Sequence, residues 1–209
     1  FAGTETQLNQ RNWQTNITTL SGDLGVLNTI TDNAYHVVIA VGIGGADLDG
    51  FTITKGYATA PWLSSVTVSG RVIDRFKGGG IYNTNSAANF ANCIIKTNSA
   101  DCTDTNDDAW GAGVVNDNCA SAFTNCIIDG NSFLMGGSSF GVFGSGMNIN
   151  GGTCTLSNCT FINNTSGSGF LDASRGGALY INASLTTITN CIFYNNSSQN
   201  GAVVAWGGA

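Results

Sequence analysis

One four-residue phrase recurs through the second half of the chain: Asn92-Cys93-Ile94-Ile95, Asn125-Cys126-Ile127-Ile128, Asn158-Cys159-Thr160-Phe161 and Asn190-Cys191-Ile192-Phe193. Its cysteines are 33, 33 and 32 residues apart, and other columns keep the same step. A large apolar residue precedes each cysteine by three (Phe90, Phe123, Leu156, Ile188), and an Asn follows it by five (Asn98, Asn131, Asn164, Asn196). Upstream stand Gly78-Gly79-Gly80-Ile81, Gly111-Ala112-Gly113-Val114, Gly144-Ser145-Gly146-Met147 and Gly176-Gly177-Ala178-Leu179. A fixed period of this length implies stacked units, each burying its apolar face against the next.

The apolar columns decide what the unit is. Cys93 and Ile95 alternate with Ile94, and Cys159 and Phe161 with Thr160, which is strand spacing. No window holds helical periodicity, and Gly and Asn interrupt the chain every few residues. Each unit offers three short strands: Ile81-Tyr82, one ending at Phe90 and one starting at Cys93. Pairing each strand in parallel with its equivalent one unit away predicts an all-β parallel β-helix of about six rungs. Asn92, Asn125, Asn158 and Asn190 suit a corner, because Asn tolerates the left-handed region and its amide can bond along the stack. The glycines suit another corner.

The last step is shorter: Leu179 to Val203 is 24 residues, against 33 from Ile81 to Val114. The earlier units therefore carry insertions, expected as loops at one corner over residues 99–110, 132–143 and 166–175. Loops at one corner lie side by side, and such a face is often the binding face of a repeat protein.

The repeat reaches the end of the chain, so residues 1–209 read as a single domain, with 1–33 an irregular lead-in and 34–209 the rungs. The chain starts at Phe1 without Met, carries no charged-then-apolar leader and stops inside a fresh glycine motif, so it reads as part of a longer protein. A net charge of −6 argues against nucleic acid, which wants a basic stripe. No run of 18 apolar residues suggests a transmembrane helix. Four of the seven cysteines belong to the inward column as small hydrophobes. One disulfide among Cys102, Cys119 and Cys154 is compatible with secretion, its pairing open.

An earlier rung runs through Tyr35-His36-Val37-Val38-Ile39 and Leu48-Asp49-Gly50-Phe51-Thr52-Ile53, with Thr52 and Thr54 outward. His36, the sole histidine, has no metal-ligand spacing around it and reads as structural. Residues 57–77 form the longest insertion and hold Arg71, Arg75 and Lys77, either an ion-paired face or part of a polyanion or sugar site. Asp101, Asp104, Asp107 and Asp108 put four carboxylates in eight residues, a candidate Ca²⁺ loop or else a solvated acidic turn. Phe133, Leu134, Met135, Phe140, Phe143, Phe170 and Leu171 need a home, either folded over outward Ile94, Ile127 and Ile192 or as an exposed patch.

Gly176-Gly177-Ala178-Leu179, Phe161-Ile162-Asn163-Asn164 and Phe193-Tyr194-Asn195-Asn196, with looser copies at Gly78-Gly79-Gly80-Ile81 and Ile95-Lys96-Thr97-Asn98, resemble the paired Gly-Gly-Ala-Ile/Leu/Val and Phe-x-x-Asn signatures of right-handed β-helix repeat proteins. The best-known of those are the chlamydial polymorphic outer-membrane proteins. The N-terminal wording, from Gly3 to Asp23, is similar to that of large secreted β-helix proteins of environmental bacteria. The resemblance covers about 130 residues and implies a surface-exposed adhesin; it carries over no catalytic residue.

Three functions compete. The first is an extracellular or cell-surface structural and adhesive protein binding carbohydrate or a protein surface through its stacked loops. The second is a filament subunit joined end to end through open strand edges such as Val203-Val204-Ala205-Trp206. The third is a polysaccharide lyase or hydrolase, for which paired carboxylates are required; Asp49, Asp117 and Asp129 are the outward acids, in different columns and without a stacked Lys or Arg.

Overall fold

The structure, a computed structural model, describes residues 2–7, 10–61, 63–103, 108–133, 141–167, 173–199 and 203–207. The repeat winds into a parallel β-solenoid of about 5 turns. One wall is six-stranded: Thr18–Ser21, Phe51–Thr54, Ile94–Lys96, Ile127–Asp129, Thr160–Ile162 and Ile192–Tyr194, in that order and all parallel. A nine-stranded wall holds the glycine-motif strands Val38–Val41, Ile81–Thr84, Val114–Thr124, Met147–Ser157, Leu179–Asn182 and Val204–Trp206, flanked by Ala46–Asp49, Ala88–Ala91 and Leu185–Thr189.

Registered pairing makes the core a set of columns. Ile53, Ile95, Ile128, Phe161 and Phe193 form one, and Leu48, Phe90, Phe123, Leu156 and Ile188 another. Phe90 stacks on Phe123 at 4.6 Å and Phe161 on Phe193 at 4.9 Å. Each fully buried large side chain contributes roughly 1.5–3 kcal/mol, so the stack is stabilised from within. The cysteine column is buried at Cys93, Cys126 and Cys159, and only partly at Cys191 in the last turn.

Asparagine serves two corners. Asn92, Asn125, Asn158 and Asn190 adopt φ of 52, 56, 54 and 52°, the left-handed turn expected for them. The trailing column is the deeper ladder. Asn131 Nδ2 donates to Asn164 Oδ1 (3.1 Å) and to Ile95 O (3.0 Å), while its Oδ1 accepts from Asn98 N (3.1 Å) and Asn98 Nδ2 (3.0 Å). Asn164 repeats the pattern onto Asn196. The glycine corner has two demands: Gly111 sits at φ 57°, and a Cβ on Gly113 would lie 2.4 Å from Gly146 O.

Several expectations need correction. Residues 18–21 already belong to the stack, placing Leu20 beside Ile53. The final glycine-motif strand pairs Leu179 with Val204, one residue later than Val203. The insertions are not simple loops: Ser99–Cys102 and Ala109–Trp110, with their equivalents Ser132–Phe133, Gly141–Phe143, Thr165–Ser166 and Ala173–Arg175, extend two further parallel sheets. Small residues at 58, 100, 109 and 112 let these walls approach and, with Phe133 and Val142, form a second core. Phe133 is therefore internal, and Phe143 packs against other aromatics rather than over Ile94 or Ile127. Leu134, Met135, Phe140, Phe170 and Leu171 lie outside the described residues. Thr52 and Thr54 are buried, with the Thr54 and Thr97 hydroxyls 2.7 Å apart. None of the seven cysteines is in a disulfide; Cys102 packs with Ala60 and Phe76, in a different cluster from Cys154 in the main core.

Residues 57–77 depart furthest from a loop. Tyr57–Ala60 joins the five-stranded sheet, and Ser65–Val68 pairs antiparallel with Arg71–Asp74 as a hairpin. Ile73 of the hairpin packs with Val41, Tyr82 and Val115, the outer face of the nine-stranded wall. This roof creates the molecule's lateral groove.

Candidate functional site

Beside the hairpin, a groove of about 190 Å³ is lined by Asp74, Lys77, Tyr82, Trp110, Val115, Asp117, Asn148 and Asn150. Parallel register builds it from columns. Tyr82, Val115, Asn148 and Tyr180 occupy one outward column, and Thr84, Asp117, Asn150 and Asn182 the next. The residues immediately before the glycine motifs, Lys77, Trp110, Phe143 and Arg175, make a third.

The second column is a polarised chain. Asn182 Nδ2 donates to Asn150 Oδ1 (2.9 Å), Asn150 Nδ2 donates to Asp117 Oδ1 (2.7 Å), and Thr84 Oγ1 donates to Asp117 Oδ2 (3.3 Å). Every donor points toward Asp117, which is what an ionised carboxylate requires. Across the groove Lys77 Nζ holds Asp74 at 3.0 Å. Asp117 thus keeps neutral partners only, and the groove carries one carboxylate in excess over its cation.

The third column and Tyr180 of the first form an aromatic cluster in which Phe143 and Tyr180 are buried and Trp110 lines the groove. Trp110 and Phe143 have ring centroids 4.9 Å apart, Phe143 and Tyr180 5.0 Å, and Trp110 and Tyr180 6.0 Å. Trp110 is half-buried and offers part of its ring to the groove. The Tyr82 phenol is pushed well above its usual range, by burial first and then by the charges of Asp74 and Asp117, so it stays protonated. Asn148 is 1% exposed, and its Nδ2 has no hydrogen-bond partner. Asn148 is one of the residues lining the groove, and a buried amide donor left unpaired is costly until an acceptor reaches it. Together these groups can stack an apolar ring face, donate from an amide and accept at a carboxylate.

His36 stands behind this site. Its Nδ1 lies 3.0 Å from Gly78 O, its ring meets Tyr82 edge-on at 5.3 Å, and burial lowers its pKa. The other outward acids lie elsewhere: Asp49 pairs with Arg11 at 2.5 Å and accepts from Asn92 Nδ2, and Asp129 accepts from Asn163 Nδ2. Of the Ca²⁺ candidates, Asp101 is buried on a strand beside Thr59 and Asp108 is half-buried, while Asp104 and Asp107 lie outside the described residues. Among the described residues no three His, Cys, Asp or Glu groups converge to hold a metal.

Asp117 and Lys77 were legible as candidates, but Asp74, Tyr82, Trp110, Asn148 and Tyr180 were not. The signal that could have found most of them is their fixed offset from the glycines: Trp110 directly precedes Gly111, and Tyr82, Asn148 and Tyr180 stand four residues after Gly78, Gly144 and Gly176. The chain matches no protein-family model, no characterised protein and no solved structure.

Proposed function

We propose that this chain is an adhesive module of an extracellular or cell-surface protein, in which the β-solenoid is a stiff support and the lateral groove binds carbohydrate. The observation that carries the reading is Trp110, backed by the buried rings of Phe143 and Tyr180, set in the groove beside a row of amide and carboxylate groups from successive turns. Sugars present an apolar ring face and a hydroxyl rim, and pockets that pair a few fixed polar groups with aromatic walls are the common form of small-ligand site. The Gly-Gly-Ala-Leu and Phe-x-x-Asn signatures add support, since proteins that share them are surface-exposed β-helices.

Titration calorimetry against a panel of neutral and amino-sugar oligosaccharides tests this. Binding that Trp110→Ala weakens at least tenfold, with the fold intact by circular dichroism, is expected. No heat with any glycan at millimolar concentration rejects the reading.

A further inference from the structure

Resting on the groove reading above, we infer that the sugar it selects carries an acetamido group, as an N-acetylated hexosamine does. An acetamido group has one N–H donor and one carbonyl acceptor, held on opposite edges of a planar unit. The groove holds the complement of both. Asp117 is an acceptor whose own partners, Thr84 Oγ1 and Asn150 Nδ2, are neutral donors, so it retains lone pairs for a further N–H. Asn148 Nδ2 is a buried donor with no partner, placed two residues upstream of Asn150 on the same strand. Trp110 provides the ring against which the pyranose face and the acetyl methyl can lie.

Asp117 and Asn148 each exclude a competitor. A plain glucose oligomer offers hydroxyls that Asp117 can accept, but nothing as basic as an amide carbonyl for Asn148 Nδ2. A deacetylated amino sugar gains an ammonium for Asp117 and leaves Asn148 unpaired. A uronate sets a second anion beside Asp117, with Lys77 already engaged by Asp74. A buried site that hydrogen-bonds a substrate group rejects analogues lacking that group, because its own polar atom stays unpaired.

The test compares tri- to hexasaccharides of N-acetylglucosamine, glucosamine and glucose by calorimetry on the unmodified chain and on Asn148→Leu. Because Asn148 Nδ2 makes no hydrogen bond, the near-isosteric Leu is expected to fold with undiminished stability. The acetylated series should bind about tenfold or more tightly than either other series, as expected for a hydrogen bond to a fixed buried group. Asn148→Leu should erase that preference while retaining weak glucose binding. Equal affinity for all three series overturns the acetamido assignment and leaves the groove as a general sugar site. A preference for glucosamine over the acetylated series overturns it in favour of charge recognition by Asp117. Absence of binding by every series rejects the groove reading itself. Should Asn148→Leu fail to fold, the ranking of the three series on the unmodified chain decides alone.

Discussion

Replacing Asn131 with Ala removes one rung of the internal amide ladder and leaves the strands on either side intact. Asn131 Oδ1 is the acceptor for the buried Asn98 N–H at 3.1 Å, and no neighbour is placed to replace it. Asn98 Nδ2 keeps its second bond, to Ile53 O, and Asn164 Oδ1 keeps the Asn131 backbone N–H. The orphaned amide costs about 1–3 kcal/mol, and the lost bonds to Ile95 O and Asn164 Oδ1 add roughly 1 kcal/mol each. The loss is therefore about 3–5 kcal/mol, which for a chain of this length lowers Tm by roughly 6–20 °C. Asn196→Ala is the internal control. It removes acceptors for Asn164 N (3.0 Å) and Asn164 Nδ2 (2.8 Å), but its site in the last turn is half-buried and water can substitute; about 1 kcal/mol is expected. Urea titrations followed by tryptophan fluorescence measure both variants. Equal losses, or a loss below about 1 kcal/mol at Asn131, would refute the claim that the buried ladder is a principal support of the stack.

Three further outcomes follow from the same geometry. Gly113→Ala forces a Cβ to within 2.4 Å of Gly146 O and 2.9 Å of Asn131 Cγ, so it should unfold the chain or send it to inclusion bodies; a soluble variant with unchanged Tm contradicts the close approach. Thiol titration should find no disulfide among the seven cysteines after denaturation, yet Cys191 reacting first in the folded protein, because Cys191 alone is not fully buried. Rapid native labelling of several thiols rejects the packed column. His36 is half-buried, and desolvation holds its pKa below the ordinary 6.5. The unfolded chain therefore takes up the proton first, and His36 contributes a loss of stability as pH falls from about 6.5 toward its folded value. His36→Gln should flatten that part of the urea midpoint against pH, and an unchanged slope removes His36 as its cause.

What sequence could and could not show divides along one physical line. A property that repeats with the turn was legible, because stacking imposes the same constraint at every 33-residue step: Cys93, Cys126 and Cys159 face inward, and Asn92, Asn125 and Asn158 turn a left-handed corner. The trailing Asn98, Asn131 and Asn164 were visible as a column, but not as the deeper ladder, since spacing alone does not tell which of two Asn columns is enclosed. Walls made of Ala58, Ala100 and Ala109 were hidden inside apparent loops because small residues signal neither strand nor core until a neighbouring turn covers them. The groove was least legible of all. It depends on a single non-repeating event, the hairpin of Ser65–Val68 and Arg71–Asp74 folding over Val41, Tyr82 and Val115. No periodicity can announce an element that occurs once, and that same break in the repeat brings Asp74 and Lys77 to Asp117. The repeat thus explains why the solenoid is stable, and the hairpin that departs from it explains why a groove opens on its side.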